Sequence, residues 1–206
     1  MLKEFVGKKI GMTQVFNESG GLEPVTIIEA GPCSVVQIKT DEKDGYEAVQ
    51  VGYGERKTKH TTKPLLGHFD SAGVSAQKVL VEFDKVPGFE YKTGQAFHVG
   101  LFQEGDYVSV SGTSKGKGFT GVIKRHNFSR QKKTHGTGHT ERAPGSIGQA
   151  SDPSRVFPGM KMAGHHGNSK VTVENLEIMK IDQVNNQMLV KGAVPGAMNG
   201  TVIISK

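Results

Sequence analysis

The chain has 206 residues, 26 Lys or Arg against 20 Asp or Glu, 35% hydrophobic residues, a single cysteine and no tryptophan. That length carries one core with a small excursion, or two small domains, and the lone Cys33 excludes an intrachain disulfide, which suits a reducing compartment. No run of about 18 apolar residues is available to span a membrane, the N-terminal MLKEFVGKKIGMTQVF lacks the apolar centre of a signal peptide, and a pI near 9.3 points to a polyanionic partner.

Residues 4–16 mix β-branched and aromatic side chains with Gly7 and Gly11, which predicts a bent strand or two short ones. Asn17-Glu18-Ser19-Gly20-Gly21 is a turn cluster. Strands are expected from Pro24 to Ala30, after Pro32, and over 46–54, with a turn at 41–45. Strands joined by short Gly, Asp and Asn turns indicate an antiparallel sheet or barrel, and barrel closure would remove its open edges. The basic run 55–63 is a linker. Pro64, Leu65, Leu66 and Phe69 then predict a short helix ended by Gly73, followed by a strand from Gln77 to Phe83. Residues 58–97 are thus expected to form a small inserted α/β subdomain, with 1–57 and 98–206 forming the β core.

A strand from Asp106 leads into the stretch 112–168. This stretch holds ten Lys or Arg, two acids (Glu141 and Asp152), five His and eleven glycines, a net charge of +8 in a chain of +6. Its apolar residues follow neither a helical nor an alternating period, so it has no means of building its own core. A long irregular loop of this kind is functional or disordered. Phe119, Val122, Ile123, Phe128, Ile147, Val156, Phe157, Met160 and Met162, with Pro144, Pro153 and Pro158, are more apolar punctuation than a disordered tail carries. Beyond it, Val171 and Val173 alternate, as do Leu176 and Ile178, and the phase then slips towards Ile181, which predicts a bulge or bend. A hairpin turn at 184–187 and two more short strands close the chain.

The chemistry of the stretch favours RNA over catalysis. His135, His139, His165 and His166 lack the cysteine or carboxylate company of a zinc site. Gly112, Gly116 and Gly118 frame Lys117, but three residues separate Gly112 from the Gly-Lys pair where a phosphate loop needs four. Cys33 falls inside a predicted strand and reads as a small core residue. No catalytic, metal or cofactor-binding residues are therefore expected, and no small-molecule substrate. Lys neutralises phosphate, Arg pairs with phosphate or a base edge, and Gly lets backbone approach closely. The candidate RNA contacts are Lys115, Lys117, Lys124, Arg125, His126, Arg130, Lys132, Lys133, His135, His139, Arg142, Gln149, Arg155, Lys161, His165 and His166. An RNA-modifying enzyme that docks through the loop and a free-standing nucleic-acid-binding regulator are the alternatives.

GKKIGMTQVF, KPLLGHFDSAGV, DYVSVSGTSKGKGFTGVIKRHNF, THGTGHTERAPGSIGQ, VFPGMKMAGHHGN and LVKGAVPG occur in that order along the chain. Together they resemble the universal large-ribosomal-subunit protein L-three family in its bacterial form, over essentially the whole sequence. The resemblance implies a mainly β protein: a six-stranded antiparallel barrel of the translation-protein type, a small inserted α/β subdomain and a long irregular extension. It further implies direct binding of large-subunit rRNA, neighbouring large-subunit proteins as partners, a role in early subunit assembly, a cytoplasmic ribosomal location and no catalysis. The deep extension would run over about 125–161, with its tip near 145–153 approaching the peptidyl transferase centre. Some relatives carry a methylated glutamine two residues after GSIGQ, where this chain has Ser151.

Overall fold

A computed structural model describes residues 4–17 and 19–206. Glu18, within the expected turn at 17–21, and residues 1–3 of the N-terminal segment lie outside the described residues. The chain divides into two contact-dense units, one made of Met1–Thr113 with Lys170–Lys206 and the other of Ser114–Ser169.

In the first unit, β1 (Glu4–Phe16), β2 (Leu22–Ala30), β7 (Tyr107–Thr113), β10 (Lys170–Asp182), β11 (Gln187–Lys191) and β12 (Thr201–Ser205) close an antiparallel barrel in the order β1-β12-β7-β10-β11-β2. The bend expected in β1 is a register shift against β2 between Lys9 and Gly11. The phase slip expected in β10 is likewise real. Its register against β11 shifts between Ile178 and Lys180, and a second shift against β7 lies between Val173 and Leu176. Each extra residue re-aims the strand, so that Val173, Leu176 and Ile178 do not keep one simple alternation. The hairpin turn before β11 is held by Asp182, whose carboxylate accepts from the Val184 and Asn185 backbone N–H groups and from the Asn185 side chain at 2.7 Å.

The second sheet corrects the expected boundaries. β3 (Cys33–Lys39) and β4 (Ala48–Glu55) join β5 (Gln77–Asp84) and β6 (Ala96–Phe97) in the order β5-β4-β3-β6, outside the barrel. The excursion therefore begins at Cys33 rather than residue 58. Alternating hydrophobicity looks the same whichever sheet a strand joins, so the sequence pattern does not reveal the change of partner. The corner is Gly31, with φ of +85° and a would-be Cβ only 2.9 Å from the Phe5 ring. A side chain there would be strained and would strike the core, so glycine is what lets the chain leave the barrel. A single helical turn, α1 (Asp41–Asp44), stands where a turn is expected.

Helix α2 (Lys63–Ala72) begins with Pro64 in its first turn and ends where Gly73 donates its N–H to the Phe69 and Asp70 carbonyls. Of its three large apolar residues, Phe69 is buried, Leu66 is partly buried and Leu65 faces out. Val36 of β3 packs with Phe69 and Ala72 in a small cluster, while its neighbour Val35 points the other way into the main core. That main core joins both sheets. Phe5, Ile28, Val110, Ile178, Met188 and Ile204 of the barrel pack in one cluster with Val35, Val49, Val51, Phe83 and Phe97. Cys33 belongs to it as expected: its thiol is fully buried, donates to the Val6 carbonyl at 3.3 Å, and is pushed up to about 12 by burial. Lys9 is also buried, with its ammonium donating to the Val194 carbonyl at 2.7 Å.

Candidate nucleic-acid interface

The second unit, Ser114–Ser169, has almost no interior. Thr120 and Val122 are its only buried residues. It contains all ten Lys or Arg counted in the basic stretch and both acids, so its formal charge is +8, and the first unit sums to −2. Its regular structure is short. β8 (Gly118–Thr120) pairs antiparallel with β9 (Gly164–His166), and α3 (Val122–His126) follows β8. From Asn127 to Ala163 the backbone is turns and irregular chain, interrupted by one 3-10 turn at Gly138–Thr140. β8, β9 and α3 are not legible in the sequence. Strands of three residues that contain glycine carry no visible period.

The ribbon places several candidate residues together. Lys117 precedes β8, Lys124, Arg125 and His126 lie in α3, and His165 and His166 lie in β9. The Lys117 ammonium donates to His166 Nε2 at 3.1 Å. Arg125 Nη1 donates to the Met162 carbonyl at 2.8 Å, and His126 Nε2 donates to the same oxygen at 3.1 Å. Burial first, and then the charges of Lys117, Arg125, Lys124 and His126, hold the His166 pKa below its ordinary value. A neutral ring is what the Lys117 bond requires, because the ring nitrogen must accept.

The ribbon also fixes close backbone approach. Gly167 has φ of +73°, and a Cβ there would lie 2.1 Å from the Lys115 carbonyl oxygen. Only glycine fits between the two strands at that point.

The remaining candidates are strung out rather than clustered. Lys115 precedes the ribbon; Arg130, Lys132, Lys133, His135, Arg142, Gln149, Arg155 and Lys161 lie in the irregular run, and His139 lies in the 3-10 turn. None of the sixteen candidates is buried. Arg125, His126 and His166 are half-buried, and the others are exposed. Arg130 meets Glu141 at 3.6 Å, and the Arg155 guanidinium lies over the Phe157 ring, 5.3 Å from its centre. Among the described residues no group of three His, Cys, Asp or Glu stands close enough to hold a metal ion. The resemblance to a phosphate loop also dissolves: Gly112 is a paired residue inside β7, and Gly118 opens a strand rather than a helix.

The structure adds a residue absent from the sequence-based candidates. Phe119, in the middle of β8, is 79% exposed, the most exposed aromatic side chain among the described residues. A signal was present in the sequence, because an aromatic in a segment without any apolar period has nothing to bury it.

The profile of the family described as ribosomal protein L3 matches residues 88–193, which span the whole of the basic unit and its two flanking strands. The large ribosomal subunit protein uL3 of Thioalkalivibrio sulfidiphilus is 54% identical over 201 residues, covering 97% of this chain and 94% of the relative. The chain belongs to the ribosomal protein L3 family. The uL3 proteins of Herpetosiphon aurantiacus and Alkaliphilus metalliredigens are 50% and 51% identical, over 100% and 98% of the chain. The aligned region runs through the barrel, second sheet and basic unit of this chain alike.

Proposed function

We propose that the chain is a structural, non-catalytic component of the large ribosomal subunit that binds large-subunit rRNA directly, mainly through Ser114–Ser169. The observation that carries this reading is a unit of net charge +8 with two buried residues, borne by a chain whose remainder sums to −2. A segment without a core gains its order from a partner, and its cations select a phosphate-rich one. The names of its relatives, each a large ribosomal subunit protein, support large-subunit rRNA as that partner. On this reading the protein works in the cytoplasm on the ribosome, beside other large-subunit proteins, and joins the subunit early in assembly. The part over about 125–161 is the deep extension, and its tip at 145–153 approaches the peptidyl transferase centre. The sixteen candidate residues act by charge neutralisation and hydrogen bonding, and no small molecule or cofactor is needed.

The test is deletion of 125–161 followed by titration of purified large-subunit rRNA at several salt concentrations. The deletion removes seven Lys or Arg. Each phosphate neutralised contributes roughly 0.7–0.9 to the slope of log K against log salt, so the slope should become shallower by about 5 if all seven meet phosphate. Unchanged affinity and slope would rule the extension out as the main contact.

A further inference from the structure

Phe119 and His165 are directly opposed across the β8–β9 ribbon. Side chains alternate between the faces of a strand, so these two project from one face while Thr120 lies on the other. Thr120 is buried, whereas Phe119 is 79% exposed and His165 is exposed. Among the described residues no cation and no second ring packs on Phe119, and the His165 imidazole does not make ring contact with it. Phe157, by contrast, already carries the guanidinium of Arg155. Phe119 is also held by paired backbone on a ribbon pinned by Gly167 and by the Arg125 and His126 bonds to Met162, so its position is set before any partner arrives.

A fixed, bare aromatic face costs free energy in water unless something covers it. The surroundings decide what. Lys117 leads into the ribbon, Lys124 and Arg125 stand in the helix that follows it, and the unit as a whole is +8. An apolar protein surface gains nothing from that charge. An unpaired nucleotide gains from both, since its base has a π-face and its phosphate an anion.

We infer that Phe119 is a stacking platform for one unpaired nucleobase of rRNA, with His165 at the edge of the same face and the unit's cations neutralising phosphates of the same strand. The inference rests on the rRNA-binding reading above and adds a contact that is aromatic rather than electrostatic. The two therefore fail in different ways.

The chain has no tryptophan, so Phe119→Trp creates a lone indole, excited selectively over the four tyrosines, at the site in the full-length protein. Phe16→Trp, at a position 71% exposed on β1, serves as the control. With large-subunit rRNA bound, emission from Phe119→Trp should be quenched, and emission from Phe16→Trp much less so. Stacking on an aromatic is worth enough that Phe119→Ala and Phe119→Leu should each weaken binding by about 5- to 150-fold, with the salt slope unchanged, while Phe119→Trp retains affinity. Because the ring is exposed, none of these changes threatens folding. Binding with a full salt slope but no quenching, and no loss in Phe119→Ala, overturns the platform and leaves the electrostatic reading standing. An indole that responds only when another subunit protein is added also overturns it, in favour of a protein contact. Absence of any rRNA binding overturns both.

Discussion

The two units solve opposite problems. The barrel and its second sheet bury Phe5, Ile28, Val110, Ile178, Met188 and Ile204 in one interior and carry a formal charge of −2. Ser114–Ser169 buries two residues, carries +8 and keeps its regular structure to a three-residue ribbon and a five-residue helix. The first is stable because of what it hides. The second is useful because of what it exposes, and any stability it gains beyond the ribbon must come from outside. Stability and binding should therefore divide between the units, and substitutions can show whether they do.

The largest effect on stability is expected in the first unit. Phe5 is buried edge-on against Phe102, with ring centres 5.8 Å apart. Phe5→Ala should cost about 3–5 kcal/mol in thermal or denaturant unfolding, whereas removing all of 125–161 should cost less than that single substitution. A deletion more damaging than Phe5→Ala would mean that the basic unit holds the protein together. Next comes Lys9→Met, which removes the donor from a buried carbonyl and should cost about 1–3 kcal/mol by the same measurement.

Within the basic unit the effects are smaller. Glu141→Gln removes the Arg130 partner, a pairing at 3.6 Å between an exposed guanidinium and a half-buried carboxylate. It should change stability by less than about 1 kcal/mol and should slightly tighten rRNA binding, because one acid leaves a cationic surface. Weaker binding would assign Glu141 a positioning role instead. The smallest effect is a titration. His166 should gain its proton at lower pH than an ordinary histidine, in an NMR titration of the free protein, because burial and the neighbouring cations disfavour the charged ring. The unfolded chain then binds the proton more readily, so this group's contribution to stability is fully present above the ordinary histidine value of about 6.5 and is lost as pH falls below it through the lower folded-state pKa. Bound phosphate should move the His166 titration upward, and an unmoved titration in the complex would place the RNA elsewhere.

Much of this division is legible in the sequence, because charge and periodicity are local properties. The bent β1, the phase slip in β10 and the helix capped by Gly73 each follow from short-range patterns that the fold keeps. The membership of β3 and β4 in a second sheet does not, since strand pairing is a long-range choice and Gly31 marks only that the chain turns. At the interface, cations are readable by type, but Phe119 looks in sequence like any other apolar residue. Its significance comes from the ribbon, which holds it out on a face where none of its own neighbours reach.

Amide hydrogen exchange across residues 127–163, in the free protein and with large-subunit rRNA bound, tests the division most directly. The expected result is rapid exchange in the free protein, beside strong protection in the barrel strands, and marked slowing of 127–163 once RNA is added. Strong protection of that run without RNA, or exchange that RNA leaves unchanged, would contradict it.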